Sequence, residues 1–378
     1  MMTDNPLREL EQCGQSVWLD AISRDLLRSG QFAHLIKQDG VSGVTANPSI
    51  FEKAIVGTHD YDESIRELAR AGNAPLQIYE QLAIHDVGAA ADLLRPTYER
   101  TQGRDGFASI EVSPDLAAKT EASIEEARRF WRELNRPNVM IKIPATAEGI
   151  PAIEALTAEG INVNITLIFA VEMYERVMEA YLRGLERRVE ANQSITHIAS
   201  VASFFVSRVD TLVDTLLRKR IDAAPDQRAA LEAFAGTIAI ANAKIAYQRF
   251  QTVFASQRFT ALQAKGAQLQ RPLWASTSTK NPAYGDTRYV ASLIGPHTVN
   301  TMPLETIDAF RDHGAVDCGA VTEGLAGAQQ MMSALERAGI SMTTVTDELI
   351  REGVDKFCQA LHSLLETIGA RQGKLVSP

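Results

Sequence analysis

Lys142 stands near the carboxyl end of an otherwise apolar stretch, Asn138-Val-Met-Ile-Lys-Ile-Pro-Ala145. The stretch reads as a short strand, bounded by Arg136-Pro137 in front and by Pro144 with Thr146-Ala-Glu148 behind. Side chains alternate across a strand, so Val139, Ile141 and Ile143 face packing helices while Met140 and Lys142 face the other way. A lysine in such a place must be solvated, paired or neutral. A neutral amine, favoured by apolar neighbours such as Met140, attacks carbonyls. The resulting imine, once protonated, is an electron sink for carbon–carbon cleavage. A cross-strand or barrel-rim ion pair is the plainer use of the same residue.

Counting parity on the neighbouring stretches adds polar groups on the same side. Asp20 ends Ser16-Val-Trp-Leu-Asp20, and Thr45 with Asn47 ends the run Gly40–Pro48. Glu111 shares a face with Phe107 and Ser109, and Asn164 with Thr166 in Asn162–Phe169. Five strands in succession thus place ionisable or polar groups near their carboxyl ends. Glu111 and the Thr166 hydroxyl suit the positioning of a water for imine formation and hydrolysis. Asp20 suits a base for the C4 hydroxyl of a ketose, and acid–base catalysis of this kind is worth roughly 10²- to 10⁴-fold. A buried Lys–Glu–Asp ion network filling a barrel uses the same residues, and these residues alone do not choose between the two.

Two later stretches suit an anion. Ala275-Ser-Thr-Ser-Thr-Lys-Asn-Pro282 gathers hydroxyls, backbone amides and Lys280 in a turn. Ser203-Phe-Phe-Val-Ser-Arg-Val-Asp210 puts Arg208 on the opening turn of a helix. Late strands of barrel enzymes often hold phosphate on turn amides and helix N-termini. Singly the motifs are weak, since Ser/Thr-rich turns are common and Arg208 has Asp210 nearby. Together they bring two cations to one end of the fold.

The elements that must position these residues are eight strand candidates separated by helical stretches. That alternation requires parallel strands with right-handed crossovers and points to a closed (β/α)8 TIM barrel with additional helices. An open doubly wound sheet is the alternative, but its Gly-rich phosphate turn does not occur. With no composition break, residues 1–378 read as a single barrel domain with a helical insertion at about 50–104 and a helical tail at about 303–378. Helices are expected over Arg24–Lys37, from Ser113-Pro114 to Asn135, and over about 207–267. Late strands are expected at His197–Phe205, Pro272–Ser278 and His297–Met302, with a closing helix over Glu348–Arg371.

Composition sets the bounds. The chain has 378 residues, 45% hydrophobic and 22% charged, which suits a globular protein with a large core. A net charge of −9 argues against a broad nucleic-acid surface. No run is apolar enough to span a membrane, and Met1-Met-Thr-Asp-Asn5 does not open a secretory signal. Scattered histidines give no metal-ligand spacing, so no metal is expected. Cys13, Cys318 and Cys358 lie far apart and read as reduced, cytoplasmic thiols.

Four segments then carry a resemblance over essentially the whole chain. Gly43-Val-Thr-Ala-Asn-Pro-Ser49, the Lys142 strand, Gly160-Ile-Asn-Val-Asn-Ile-Thr-Leu-Ile-Phe169 and Leu273-Trp-Ala-Ser-Thr-Ser-Thr-Lys-Asn-Pro282 resemble transaldolase, in its longer bacterial type. The resemblance implies a cofactor-free transferase of the pentose phosphate pathway. It would move a dihydroxyacetone unit from sedoheptulose 7-phosphate to glyceraldehyde 3-phosphate, giving erythrose 4-phosphate and fructose 6-phosphate. Lys142 matches the family's Schiff-base lysine, Asp20 its acid–base aspartate, and Glu111 with Thr166 its water-positioning pair. Asn47, Asn164 and Ser203 match residues that bind donor hydroxyls, Thr45 lines the same pocket, and Arg208 matches the phosphate arginine. Where many members have Ser-Phe-Arg after strand seven, this chain has Ser276-Thr-Ser-Thr-Lys280, which makes Lys280 the second phosphate cation beside Ser276. The expected partners are sugar phosphates, and the tail helix leaves a homo-oligomer open. Two other readings stand beside the transferase: an aldolase-type lyase cleaving fructose 6-phosphate, and a non-catalytic barrel that binds sugar phosphates.

Overall fold

The computed structural model describes residues 5–376, the side chain of Val376 excepted. Its strands are β1 Gln15–Leu19, β2 Val41–Thr45, β3 Phe107–Glu111, β4 Val139–Pro144, β5 Val163–Ile168, β6 Ser200–Phe205, β7 Gln270–Ala275 and β8 Thr298–Met302. Each runs parallel to the next, and β8 pairs with β1 to close the barrel. Helices surround it, as the alternation required: this is a (β/α)8 TIM barrel.

The inward parity is packed in layers. Trp18 is fully buried inside the barrel, and the space it fills is the space a side chain at position 43 would need. A Cβ on Gly43 would lie 2.3 Å from the indole ring. The indole Nε1 donates to Asp105 Oδ1 at 2.8 Å. That carboxylate also accepts from the Ser42 and Ser16 hydroxyls and lies 3.4 Å from Arg271 Nη2, so a polar knot shuts the amino-terminal end. Asn138 fixes the start of β4 by donating to Gly106 O at 2.9 Å and Ala91 O at 2.7 Å. With the start pinned, Glu111 falls opposite Lys142, and Lys142 opposite Asn164.

Several boundaries differ from the sequence reading for identifiable reasons. The helix expected over Arg24–Lys37 is two, Arg24–Arg28 and Gln31–Asp39, because Gly30 between them takes a positive φ of 83°. Ser113-Pro114 opens only a 3₁₀ turn, Pro114–Leu116, and the helix proper is Thr120–Leu134. Ser113 does not cap with its side chain; its backbone N–H donates to Glu126 instead. β7 stops at Ala275 because Ser276 turns to φ 56°. The region 207–267 divides into Ser207–Ala223, the short Arg228–Glu232, Ile238–Phe254 and Gln257–Gln263. The insertion is three helices, Pro48–Val56, Asp62–Arg70 and Pro75–Arg100.

One expectation is overturned. Cys13 and Cys318 form a disulfide, with Cα atoms 4.9 Å apart, so only Cys358 is a free thiol. Their separation of 305 residues conceals a proximity created by barrel closure, since Cys13 precedes β1 and Cys318 follows β8.

The tail carries the long helix Met342–Val376, which packs against all three insertion helices, Ser207–Ala223 and β5. It therefore lies over the carboxyl-terminal mouth. Ser207–Ala223 is in turn joined to the segment after β7. Tyr289 Oη donates to Asp210 Oδ2 at 2.8 Å, and Tyr284 Oη to Asp214 Oδ2 at 2.7 Å. The opposite oxygens accept from the backbone N–H groups of Ala239 and Gly236, at 2.7 and 3.0 Å. Burial raises the Asp210 carboxyl to about 6, with Asp214 adding to the rise and both hydrogen bonds opposing it.

Two outcomes follow. Gly43→Ala forces the new methyl into Trp18 and is expected to lower stability by roughly 1–3 kcal/mol in urea titration. For Asp210 the folded chain holds the proton more tightly than the unfolded chain, whose value is about 3.9. Its contribution is therefore greatest below about pH 4 and is lost as pH rises to about 6. Asp210→Asn lacks that titration. From pH 4 to pH 7 the variant should gain up to about 3 kcal/mol on the parent in urea midpoints. Parallel curves would contradict the assignment.

Candidate active site

At the carboxyl ends of the strands a cavity of about 230 Å³ opens beneath the long tail helix. Lys142 reaches its wall from β4, only 4% exposed, with Nζ 3.3 Å from Glu111 Oε2 on β3. Burial raises the Glu111 carboxyl; the Lys142 charge opposes the shift and the Asp20 charge adds to it. A raised carboxyl retains its proton more readily and can return it to a nearby group. Thr166 follows on β5, and its Oγ1 is buried without a protein hydrogen-bond partner among the described residues. Leu167 beside it adopts φ 59°, a strained setting for a branched side chain that turns the end of β5 beneath the tail helix. Gly353 on that helix lies against it: a Cβ there would sit 2.8 Å from Leu167 Cδ2.

Across the cavity, Asp20 directly follows β1. Its Oδ1 accepts from Thr45 Oγ1 at 2.7 Å, and Thr45 in turn lies 2.8 Å from Thr301 Oγ1. The hydroxyl pair holds the carboxylate in one place. Asn47 is the N-cap of Pro48–Val56, its Oδ1 accepting from Ile50 N at 3.0 Å, which leaves its NH₂ free to donate to a ligand. Asn164 is fully buried; it donates to Ser109 Oγ at 3.1 Å and accepts from Ser203 Oγ at 2.7 Å.

The far end is cationic. Arg208 packs its guanidinium 5.2 Å from the Phe205 ring centroid and 6.0 Å from that of Phe357. Among the described residues no side chain pairs or hydrogen-bonds with it. Asp210, its nearest carboxylate in sequence, faces the opposite way, toward Tyr289. Lys280 donates to Ser278 Oγ at 2.6 Å, and Ser276 Oγ lies 3.0 Å from Ser207 Oγ. Burial lowers both Arg208 and Lys280 from their ordinary values, which marks cations held without enough compensating charge. An anion completes such a site.

Of the residues singled out in the sequence, Asp20, Thr45, Asn47, Lys142, Thr166, Ser203, Arg208, Ser276 and Lys280 line one cavity. Glu111 and Asn164 stand behind the wall, bonded to residues that line it or to their neighbours. Sequence reasoning missed Lys53, Thr301, Glu305 and Phe357. Thr301 was accessible to strand parity on β8, and Lys53 to helical spacing from Ser49 in Pro48–Val56. Nothing in the sequence tied Phe357, on the tail helix, to the mouth of the barrel.

This arrangement suits a carbonyl compound that bears an anionic end. The family described as Transaldolase/Fructose-6-phosphate aldolase matches residues 17–368. A protein of Nostoc sp. (strain PCC 7120) named Transaldolase 2 is 47% identical over the whole of both chains. A Transaldolase of Thermobifida fusca is 49% identical over 96% of this chain and 97% of that one. Another, of Mycobacterium bovis, is 49% identical over 97% of each.

Arg208→Ala should weaken inorganic phosphate binding by roughly tenfold to a hundredfold in calorimetry, the range for a charge-assisted contact. Unchanged affinity would show that the anion sits elsewhere.

Proposed function

Because the chain belongs to the transaldolase/fructose-6-phosphate aldolase family, we propose that Lys142 is the amine through which it transfers a dihydroxyacetone unit. The enzyme is a transferase of the pentose phosphate pathway, working through a lysine Schiff base. It takes the unit from sedoheptulose 7-phosphate and gives it to glyceraldehyde 3-phosphate, producing erythrose 4-phosphate and fructose 6-phosphate. The observation that carries the assignment to Lys142 is its burial 3.3 Å from Glu111, at the wall of a cavity whose other end is cationic.

Each step then has a residue at hand. The Lys142 amine adds to the ketose C2 carbonyl, and the carbinolamine loses its hydroxyl as water. Glu111, through a water held also by Thr166 Oγ1, supplies the proton for that loss. Asp20 takes the proton from the C4 hydroxyl, the C3–C4 bond breaks, and its electron pair moves into the imine to give an enamine. The aldehyde product leaves. The enamine carbon then attacks the acceptor aldehyde, Asp20 returns its proton to the new hydroxyl, and water releases the ketose. Thr45, Asn47, Asn164 and Ser203 hold the donor hydroxyls directly or through one another, while Arg208, Ser276 and Lys280 bind the phosphate.

We read residues 1–378 as one domain, because the insertion helices and the tail helix pack on one another over the same barrel. We place the reaction in the cytoplasm with its phosphorylated substrates. No described helix is long and apolar enough to cross a membrane.

Borohydride added with fructose 6-phosphate should attach the sugar at Lys142, detected by peptide mass, and Lys142→Met should abolish the adduct. A label on another lysine overturns the assignment. The lyase reading is decided in a coupled assay: fructose 6-phosphate alone should release glyceraldehyde 3-phosphate far more slowly than when an acceptor aldehyde is present.

A further inference from the structure

The phosphate end of the cavity comes from two pieces of chain with unequal support. Arg208 sits in the first turn of the helix Ser207–Ala223, fixed by the helix itself. Ser276, Ser278 and Lys280 sit on the irregular stretch between β7 and the short helix Arg288–Ala291. Irregular backbone samples many conformations unless something outside holds it. Its start is tied by Ser207 N–H donating to Ser276 O at 3.0 Å and by Thr277 Oγ1 donating to Asn300 Oδ1 at 2.8 Å. Beyond Lys280 it is held by the pair of phenols described above, Tyr284 on Asp214 and Tyr289 on Asp210. Both aspartates belong to the helix that begins with Arg208, so one element carries a cation of the site and the anchors of the stretch bearing the other.

The anchorage is shaped on its far side too. Gly236 has φ 66°, and a Cβ there would lie 2.5 Å from the Tyr284 ring, so the ring has only a glycine-sized seat. Behind the stretch lies a cleft of about 250 Å³ lined by Asp210, Asp214, Lys280, Tyr284 and Tyr289 among others. Lys280 borders both this cleft and the substrate cavity. Released from the two phenols, the stretch has room to withdraw Lys280 from the cavity.

We propose that Asp214–Tyr284 and Asp210–Tyr289 are positioning pairs that hold Lys280 toward Arg208 and so set the enzyme's selectivity for phosphorylated over unphosphorylated sugars. The proposal rests on the function given above. The pairs touch neither substrate nor the reacting atoms, and their effect is confined to the anion end.

Tyr284→Phe and the double change with Tyr289→Phe each remove only hydroxyl groups. KM for fructose 6-phosphate should rise roughly tenfold to a hundredfold, the span for lost hydrogen bonds to charged groups. The kcat and the dihydroxyacetone concentration for half-maximal borohydride inactivation should stay as in the parent. A structural role alone would lower thermal stability and leave the ratio of these two affinities unchanged; that result overturns the proposal. So does an equal loss for both compounds. If the double variant fails to fold, Asp214→Asn is measured in its place, with the same ratio deciding. Absence of any adduct in the parent would instead strike the function itself, whereas a normal adduct with an unchanged ratio strikes only this inference.

Discussion

A lysine and a glutamate buried together, 3.3 Å apart, are the constraint to which the rest of the structure answers. Taking either group out of water is expensive, and removing one partner would strand the other. The pair is tolerable only if register and parity are fixed, because a one-residue slip of β4 would turn Lys142 toward the helices. Asn138 provides that fixity from the other end of the strand. The Trp18–Gly43 layer and the Asp105 knot fill the barrel beneath, so the polar residues are confined to the mouth.

The mouth divides its labour by rigidity. Lys142, Asp20 and Thr166, to which we assign the bond making, are on strands or directly at their ends. Their placement derives from the barrel ladder and scarcely depends on loops. Arg208, Ser276 and Lys280, to which we assign the anion, come from a helix start and an irregular stretch. Two aromatic rings and burial keep Arg208 in place without a carboxylate to neutralise it. Its charge remains available, at the expense of stability the barrel supplies elsewhere.

Much of this was legible because a parallel barrel translates strand parity directly into inside and outside. Alternation alone brought Asp20, Glu111, Lys142, Asn164 and Thr166 to one side, and all five stand at or just behind the cavity wall. Legibility ended where positions depend on distant chain meeting. Phe357 reaches the cavity only because the tail helix folds back over the mouth, and Cys13 meets Cys318 only when β8 closes on β1. Local breaks were missed where one residue overrode a periodic pattern, as Gly30 and Ser276 do with positive φ. Burial of Glu111 and Asn164 behind the wall was equally out of reach, since parity gives a side but not a depth.

The Cys13–Cys318 bond has a topological consequence. It makes a covalent ring that contains all eight strands and leaves the long helix Met342–Val376 on a free arm outside it. Unfastening the arm and unravelling the ring are thereby distinct events. The ring is closed by a covalent bond, whereas the cover is held over the mouth by noncovalent contacts.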